Sequence, residues 1–223
     1  MGHDITLTDL AHHVLNAAEA VDRRWVVGIA GPPAAGKSTL SEALADAINA
    51  LKPGTAQIAP MDGFHRTNAE LRSLGALHRK GEPDTFAVAE FVSRLRRLHE
   101  STPGTIVSWP AYDRALHDPV PDKLQFDVHR IAVVEGNYLL LDDEDWRPVR
   151  TLLDEAWFLS ADESVIEQRL IDRHLRGGKP LAEAQQKVAS SDLPNARLVA
   201  ATSGHADLIL QQYGDHYRAA VSG

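Results

Sequence analysis

The chain has no cysteine in its 223 residues, so disulfides and thiolate metal sites are excluded and a reducing compartment fits. It lacks a surplus of basic charge. Its 31 acidic residues outweigh 23 basic ones, for a formal net charge of −8. That argues against a protein that coats nucleic acid, yet leaves room for a local basic pocket around an anionic small molecule. No apolar run reaches membrane-spanning length, and no charged-then-apolar leader opens the chain. The expectation is a cytoplasmic protein with no nucleic-acid or membrane partner. Internal repeats and low-complexity tracts are absent from the sequence. So are the guanine-reading N-K-x-D and the transporter signature L-S-G-G-Q, which weakens a switch or transporter reading. What remains is ordinary globular composition, 43% hydrophobic and 24% charged, enough for one α/β domain over 1–223.

The most informative stretch is Gly31-Pro32-Pro33-Ala34-Ala35-Gly36-Lys37-Ser38-Thr39. It reads G-x-x-x-x-G-K-S, the phosphate-binding loop of nucleotide-binding proteins. The apolar run from Trp25 to Ala30 predicts a buried strand before it. Leu40, Ala43, Leu44, Ala47 and Ile48 predict a helix after it. Gly31 and Gly36 can take backbone angles closed to other residues, so that N–H groups turn inward around an anion. The helix aims its positive end at the same point. Lys37 adds a charge for the β/γ-phosphates, and the Ser38 hydroxyl is placed to ligate Mg²⁺.

Further elements follow in order. Apolar spacing predicts a helix over 4–21, capped by Thr6 or Thr8. Residues 55–59 read as a second strand that ends at Pro60-Met61-Asp62-Gly63-Phe64-His65-Arg66. In open α/β sheets ligands bind beyond the carboxyl ends of strands, so Asp62, His65 and Arg66 arrive at the edge that holds the phosphate loop. Asp62 can there take the proton of an attacking hydroxyl, or can simply cap a turn. Residues 67–80 read as helical and end in the basic cluster Arg79-Lys80-Gly81. A helix over 86–100 has Asp84 or Thr85 as its cap. Residues 105–109 and 123–128 read as two short strands of a β insertion (about 105–128) around a polar loop, 110–119. That loop carries Tyr112, Arg114 and His117 as pocket candidates.

The run 130–136 is a core strand that ends in an acid, Glu135, within reach of Mg²⁺ or its water shell. Asn137 follows at the same edge. After a helix near 145–153 and a strand at 155–160, a long helix starts at Asp162. Arg169, Arg173 and Arg176 share one of its faces, at spacings of four and three. They are either a cationic lid on the mobile Gly177-Gly178 hinge or a solvated face paired with Asp162, Glu163 or Glu167. Residues 181–190 read as helical, 191–196 as an interruption, 196–201 as a short helix and 206–210 as a fifth strand.

The ordered set is G-P-P-A-A-G-K-S-T, M-D-G-F-H-R, P-A-Y-D-R-A-L-H-D-P, V-V-E-G-N-Y-L-L-L and R-L-I-D-R-H-L-R-G-G-K. It resembles the phosphoribulokinase/uridine kinase family of P-loop kinases, which includes the type I pantothenate kinases. The runs at 61–65, 79–86, 135–141 and 192–196 are similar to a bacterial subgroup of nucleoside/nucleotide kinase-like or fructose transport system kinases. The resemblance covers about 25–210. It implies a P-loop NTPase fold: a mostly parallel five-stranded sheet flanked by helices, with a lid at about 169–190 and a small β insertion. It implies phosphoryl transfer from ATP, with Mg²⁺, to a hydroxyl of a small-molecule acceptor. The acceptor is a sugar or nucleoside, or pantothenate; a regulatory NTPase is the alternative.

By the same resemblance, Asp62 is the catalytic base, Ser38 and Glu135 hold the metal, and Arg173 neutralises charge with Arg169 or Arg176. The ATP site is Gly31, Ala34, Ala35, Gly36, Lys37, Ser38 and Thr39, with Asp207 near the adenine. His65, Arg66, Tyr112, Arg114, His117 and Asn137 face the acceptor. Many relatives carry glycine where Ala34 and Ala35 stand, so these alanines are expected to keep ordinary backbone angles.

Overall fold

Trp25–Ala30 is apolar on both sides and cannot face water, which makes it the central strand of a covered parallel sheet. The computed structural model describes residues 2–214 and 216–221. The one-domain expectation over 1–223 also extends to Met1, Asp215, Ser222 and Gly223, which lie outside the described residues. The elements are β1 (His3–Ile5), α1 (Leu7–Glu19), β2 (Trp25–Ala30), α2 (Lys37–Leu51), β3 (Ala56–Pro60), α3 (Asn68–Ser73) and α4 (Val88–Glu100). Then come β4 (Val107–Asp113), β5 (Asp118–Phe126), β6 (Ile131–Gly136), α5 (Arg147–Thr151), β7 (Glu155–Ser160) and α6 (Glu163–Arg176). The last are α7 (Leu181–Lys187), α8 (Leu193–Ala200), β8 (Leu208–Tyr213) and β9 (His216–Val221).

The main sheet has the order β1-β9-β8-β7-β2-β6-β3. Its five parallel strands, β8-β7-β2-β6-β3, are those expected from the sequence. Two antiparallel strands extend it beyond five: β9 pairs with β8, and β1 pairs with β9. The expected helix over 4–21 therefore starts only at Leu7. Thr6 caps it in a reciprocal box with Asp9, and 3–5 is strand.

Side chains of the sheet divide by face. Val27, Ile29 and Val133 pack with α1 and α2 through Leu10, Val14, Leu40 and Leu44. Val26, Ala132 and Val134 pack on the other face against Phe91, Leu95 and Leu98 of α4. β4 and β5 form a separate two-stranded hairpin whose root, Val107, Trp109 and Phe126, joins that second core. The stretch read as a loop at 110–119 is thus mostly strand. The register shifts between Trp109 and Ala111, where Pro110 cannot donate to the ladder.

Other local expectations shift. Gly75, with φ +65°, ends α3 soon after Ser73, so 67–80 is not one helix. The start of α4 has no side-chain cap. Instead Asp84 pairs with Arg79 at 2.7 Å, and Thr85 Oγ1 donates to the Glu82 carbonyl. The interruption expected at 191–196 is a π-helical turn over 188–192 that carries α7 into α8, with Pro194 in the first turn of α8.

Candidate active site

The register places the functional ends of the strands on one line. Ile29 and Pro60 both stand opposite Glu135, so the ends of β2, β3 and β6 meet at the edge where the phosphate loop begins. Gly31 (φ +153°) and Gly36 (φ +107°) bend the loop in the region that favours glycine. A Cβ at Gly31 would meet the Leu159 carbonyl at 2.5 Å. Ala34 departs from expectation: its φ is +63°, left-handed rather than ordinary. That turn presents the Ala34 carbonyl to α6, where Arg169 donates to it at 3.0 Å and to the Ala35 carbonyl at 3.3 Å.

Lys37 is buried and donates to the Pro32 carbonyl at 2.9 Å. Burial pulls its ammonium below the usual value, against the attraction of Glu135 and Asp62. Ser38 Oγ stands 3.5 Å from Glu135 Oε2. Glu135 is itself 8% exposed and is pushed up to about 7, first by burial, then by Asp62, with Lys37 and Ser38 opposing. Among the described residues no cluster of three or more His, Asp or Glu could hold a metal by itself. A hydroxyl and a buried carboxylate side by side fit Mg²⁺, which takes most of its ligands from phosphate and water in such sites.

Asp62 lies in a 3₁₀ turn, Met61–Phe64, directly after β3. Two glycines let this turn lie close to its neighbours. A Cβ at Gly63 would come within 2.3 Å of the Pro110 carbonyl, and one at Gly136 within 2.6 Å of Met61 Cβ. The Asp62 side chain is 38% exposed and accepts no hydrogen bond from a described residue; the His65 ring nitrogen Nδ1 stands 4.0 Å away. The capping reading of Asp62 is therefore not met. His65 Nδ1–H donates to the Asp62 backbone carbonyl at 2.8 Å, and the ring packs on Phe86 and Tyr112. Burial draws the His65 imidazolium below its ordinary value, more than the Asp62 charge raises it.

Asp62 borders two cavities. One, of about 190 Å³, is lined with Ser38, Glu135, Tyr112 and Arg114. The other, of about 300 Å³, is lined with His65, Lys80, Tyr112, Arg114, Asn137 and Arg173, among others. The hairpin, the turn after β3 and α6 thus close around one carboxylate. On the far side of the loop a third cavity, of about 330 Å³, is lined by Ala35, Ser160, Arg169, Gln211 and Gln212.

Four sequence candidates lie elsewhere. Asp207 precedes β8, at the amino end of the parallel strands and thus at the opposite edge from the phosphate loop. There it accepts from the Ala156 N–H at 2.7 Å and pairs with Arg150. Strand direction points instead to Gln211 and Gln212. Arg66 lines a separate cavity with Asp84, Phe86 and Trp146. His117 sits exposed at the hairpin tip with φ +53°, and its carbonyl, not its ring, accepts from Lys80. Arg176 folds back on its own helix, to the Asp172 carbonyl. Glu163 pairs with Arg197 rather than with the arginines of α6.

The sequence reading missed Lys80, Lys187, and the His174–Asp192 pair at 2.6 Å, all of which border the larger cleft. Their signals were the basic cluster at 79–80 and the D-L-P-N-A run at 192–196. Tyr138 Oη anchors the Lys80 segment by donating to the Gly81 carbonyl at 2.6 Å.

The model of the phosphoribulokinase/uridine kinase family matches residues 26–217. Escherichia coli K12 YggC, a protein described as uncharacterised, is 39% identical over 204 residues, covering 89% of this chain and 83% of its own. A pantothenate kinase of Limosilactobacillus reuteri is 28% identical over 216 residues, covering 86% and 70%. Among solved structures, a candidate fructose transport system kinase from Silicibacter sp. TM1040 superposes with a TM-score of 0.82 at 36% identity, covering 92% of this chain and 98% of its own. With a phosphate loop between β2 and α2 and a match across most of its length, the chain belongs to the phosphoribulokinase/uridine kinase family and is a P-loop kinase of that type.

Proposed function

We propose that this kinase transfers the γ-phosphoryl group of ATP to a hydroxyl of a small polar acceptor, a sugar or nucleoside-like compound, with Asp62 as the base. The observation that carries the reading is the place of Asp62. It borders both the small cavity with Ser38 and Glu135 and the larger cleft with Tyr112, Arg114 and Asn137. Donor and acceptor sides meet at one unpaired carboxylate.

The chemistry follows from the residues. The loop N–H groups and Lys37 hold the phosphates. Arg173 borders the same cleft, and its charge opposes that of Lys37, so it lies where a transferring phosphoryl group needs a cation. Ser38 and Glu135 would hold Mg²⁺. A metal held there would supply positive charge to offset that of the phosphates. The acceptor oxygen forms a bond to the γ-phosphorus while the bond to the β–γ bridging oxygen breaks, its electron pair leaving with ADP. The hydroxyl proton passes to Asp62. His65, packed beside Asp62 and Tyr112, lends the acceptor side a polar ring nitrogen.

The reading is tested by ADP release with Mg-ATP over a panel of sugars, nucleosides and pantothenate, the last because one relative bears that name. Asp62→Asn should lower turnover by about 10²–10⁴, the range for general base catalysis, and still bind an ATP analogue. Unchanged turnover would remove the base role. Acceptor-independent hydrolysis with no stimulation by any compound would favour a regulatory NTPase.

A further inference from the structure

Charge in the larger cleft runs against the charge of the chain. The whole sequence carries −8, yet the cleft is bordered by Lys80, Arg114, Arg173 and Lys187 against the carboxylates of Asp62 and Asp192. Two of these cations are accounted for. Lys80 Nζ donates to Asn68 Oδ1, the His117 carbonyl and Asp118 Oδ1, which uses all three of its N–H groups. It braces the hairpin. Arg173 stands between the two sides, where its charge lowers both Lys37 and His65, and the reading above assigns it to the transferring phosphoryl group. Asp192 is taken by His174.

Arg114 and Lys187 are left. Among the described residues neither forms a close ion pair, although Arg114 lines the small cavity with Glu135 and acts on it through its charge. Asp113, beside Arg114, is used by the hairpin turn and by Lys123. Lys187 donates to the His78 carbonyl and Ser191 Oγ, both neutral, and keeps one N–H. A neutral sugar or nucleoside in this space would leave half-buried Lys187 with no counterion and exposed Arg114 with only the charge of Glu135 beyond ion-pair distance, a cost that grows as closure excludes water.

We infer that the acceptor is an anionic hydroxyl compound whose carboxylate or phosphate is held by Arg114 and Lys187. This rests on the kinase reading above. Arg114 offers the planar fork that grips either oxyanion at two points, and Lys187 adds a point charge from α7. A cavity of about 300 Å³ suits a small compound.

The test is ADP release with Mg-ATP in three arms: small hydroxy acids, sugar phosphates, and uncharged sugars with nucleosides. One of the first two arms should exceed the best neutral compound at least tenfold in kcat/KM, and which one wins separates carboxylate from phosphate. Arg114→Gln and Lys187→Gln should each raise KM for that acceptor about ten- to hundredfold, the worth of one charge-assisted contact. Each should also narrow the preference for anionic over neutral acceptors, with Arg114→Lys recovering part of it. Two variants on different elements keep the test open if one fails to fold. A neutral compound as best acceptor, or KM shifts equal for neutral and anionic acceptors, overturns the inference and leaves the kinase reading standing. No stimulation in any arm overturns both.

Discussion

Asp62 and Glu135 come from adjacent strand ends and are given opposite surroundings. Glu135 is enclosed, and burial pushes it up to about 7, the setting that the proposed Mg²⁺ role would use. Asp62 is open to the cleft, with the His65 ring nitrogen 4.0 Å away and no hydrogen bond to its carboxylate from a described residue. One enclosed and one open carboxylate suit the proposed division between metal holder and base. His65 makes the same point measurable. Its folded pKa lies below the ordinary 6.5, with burial as the first cause. As pH falls, the unfolded chain therefore takes up a proton before the folded one does. The stabilisation is full above about 6.5 and is lost as pH falls through and below that value. His65→Asn keeps a donor toward the Asp62 carbonyl but does not titrate. Urea unfolding between pH 7.5 and 5 should show a flatter decline for the variant; identical slopes would mean that His65 titrates as in the unfolded chain.

At the scale of elements, the turn after β3 depends on close approach to β4. Gly63 has an ordinary backbone, so its constraint is space alone: a Cβ would meet the Pro110 backbone at 2.3 Å. Gly63→Ala should separate turn and hairpin, destabilise the protein by about 1–3 kcal/mol as an overpacked contact does, and lower kcat. Affinity for an ATP analogue should change little, because the phosphate loop belongs to β2 and α2. Wild-type melting temperature and turnover in this variant would show that the turn adapts.

The same elements show what the sequence could reveal. β2, the phosphate loop and α2 were legible because a buried apolar run, two glycines and a 3.6-residue spacing are all local signals. β1 was not, because His3–Ile5 is short and exposed and is strand only through pairing with β9. The hairpin was legible as a β insertion, but its strands were read short, with 110–119 as loop, because they hold Pro110, Pro119 and Pro121 and leave much of β5 exposed. Asp207 was assigned by carrying over a family position; β8 runs so that Asp207 stands at its amino end and Gln211 and Gln212 toward the edge of the phosphate loop. The left-handed turn at Ala34 has no sequence signal, since alanine rarely adopts it.

Over the whole molecule the two walls of the cleft are anchored differently. The acceptor-side hairpin is rooted in the main core. Trp109 meets Phe64 edge-on at 5.0 Å, Phe126 and Val107 lie in the same buried cluster as β2 and β6, and Trp109 Nε1 donates to the Pro60 carbonyl. The wall made by α6, α7 and α8 instead has a small core of its own, Ile166, Leu170, Val188, Leu193 and Ala196, and reaches the main one through Val199 near the end of α8. Its polar ties to the rest include Arg169 to the phosphate loop and Lys187 to the His78 carbonyl. Segments with few buried contacts open at lower free energy than the core. Closure should therefore come from residues 163–200 moving against a fixed hairpin. Hydrogen exchange tests this. In the nucleotide-free protein, amides of 163–200 should exchange faster than those of Val107, Trp109 and Phe126. A non-hydrolysable Mg-ATP analogue at about 100 times its Kd can slow exchange of a fully coupled lid roughly a hundredfold, the equivalent of about 2.7 kcal/mol. The same analogue should leave the hairpin root within a few-fold of its free rate. If the hairpin root gained as much protection as α6–α8, or if α6–α8 gained none, the moving wall would be the other one.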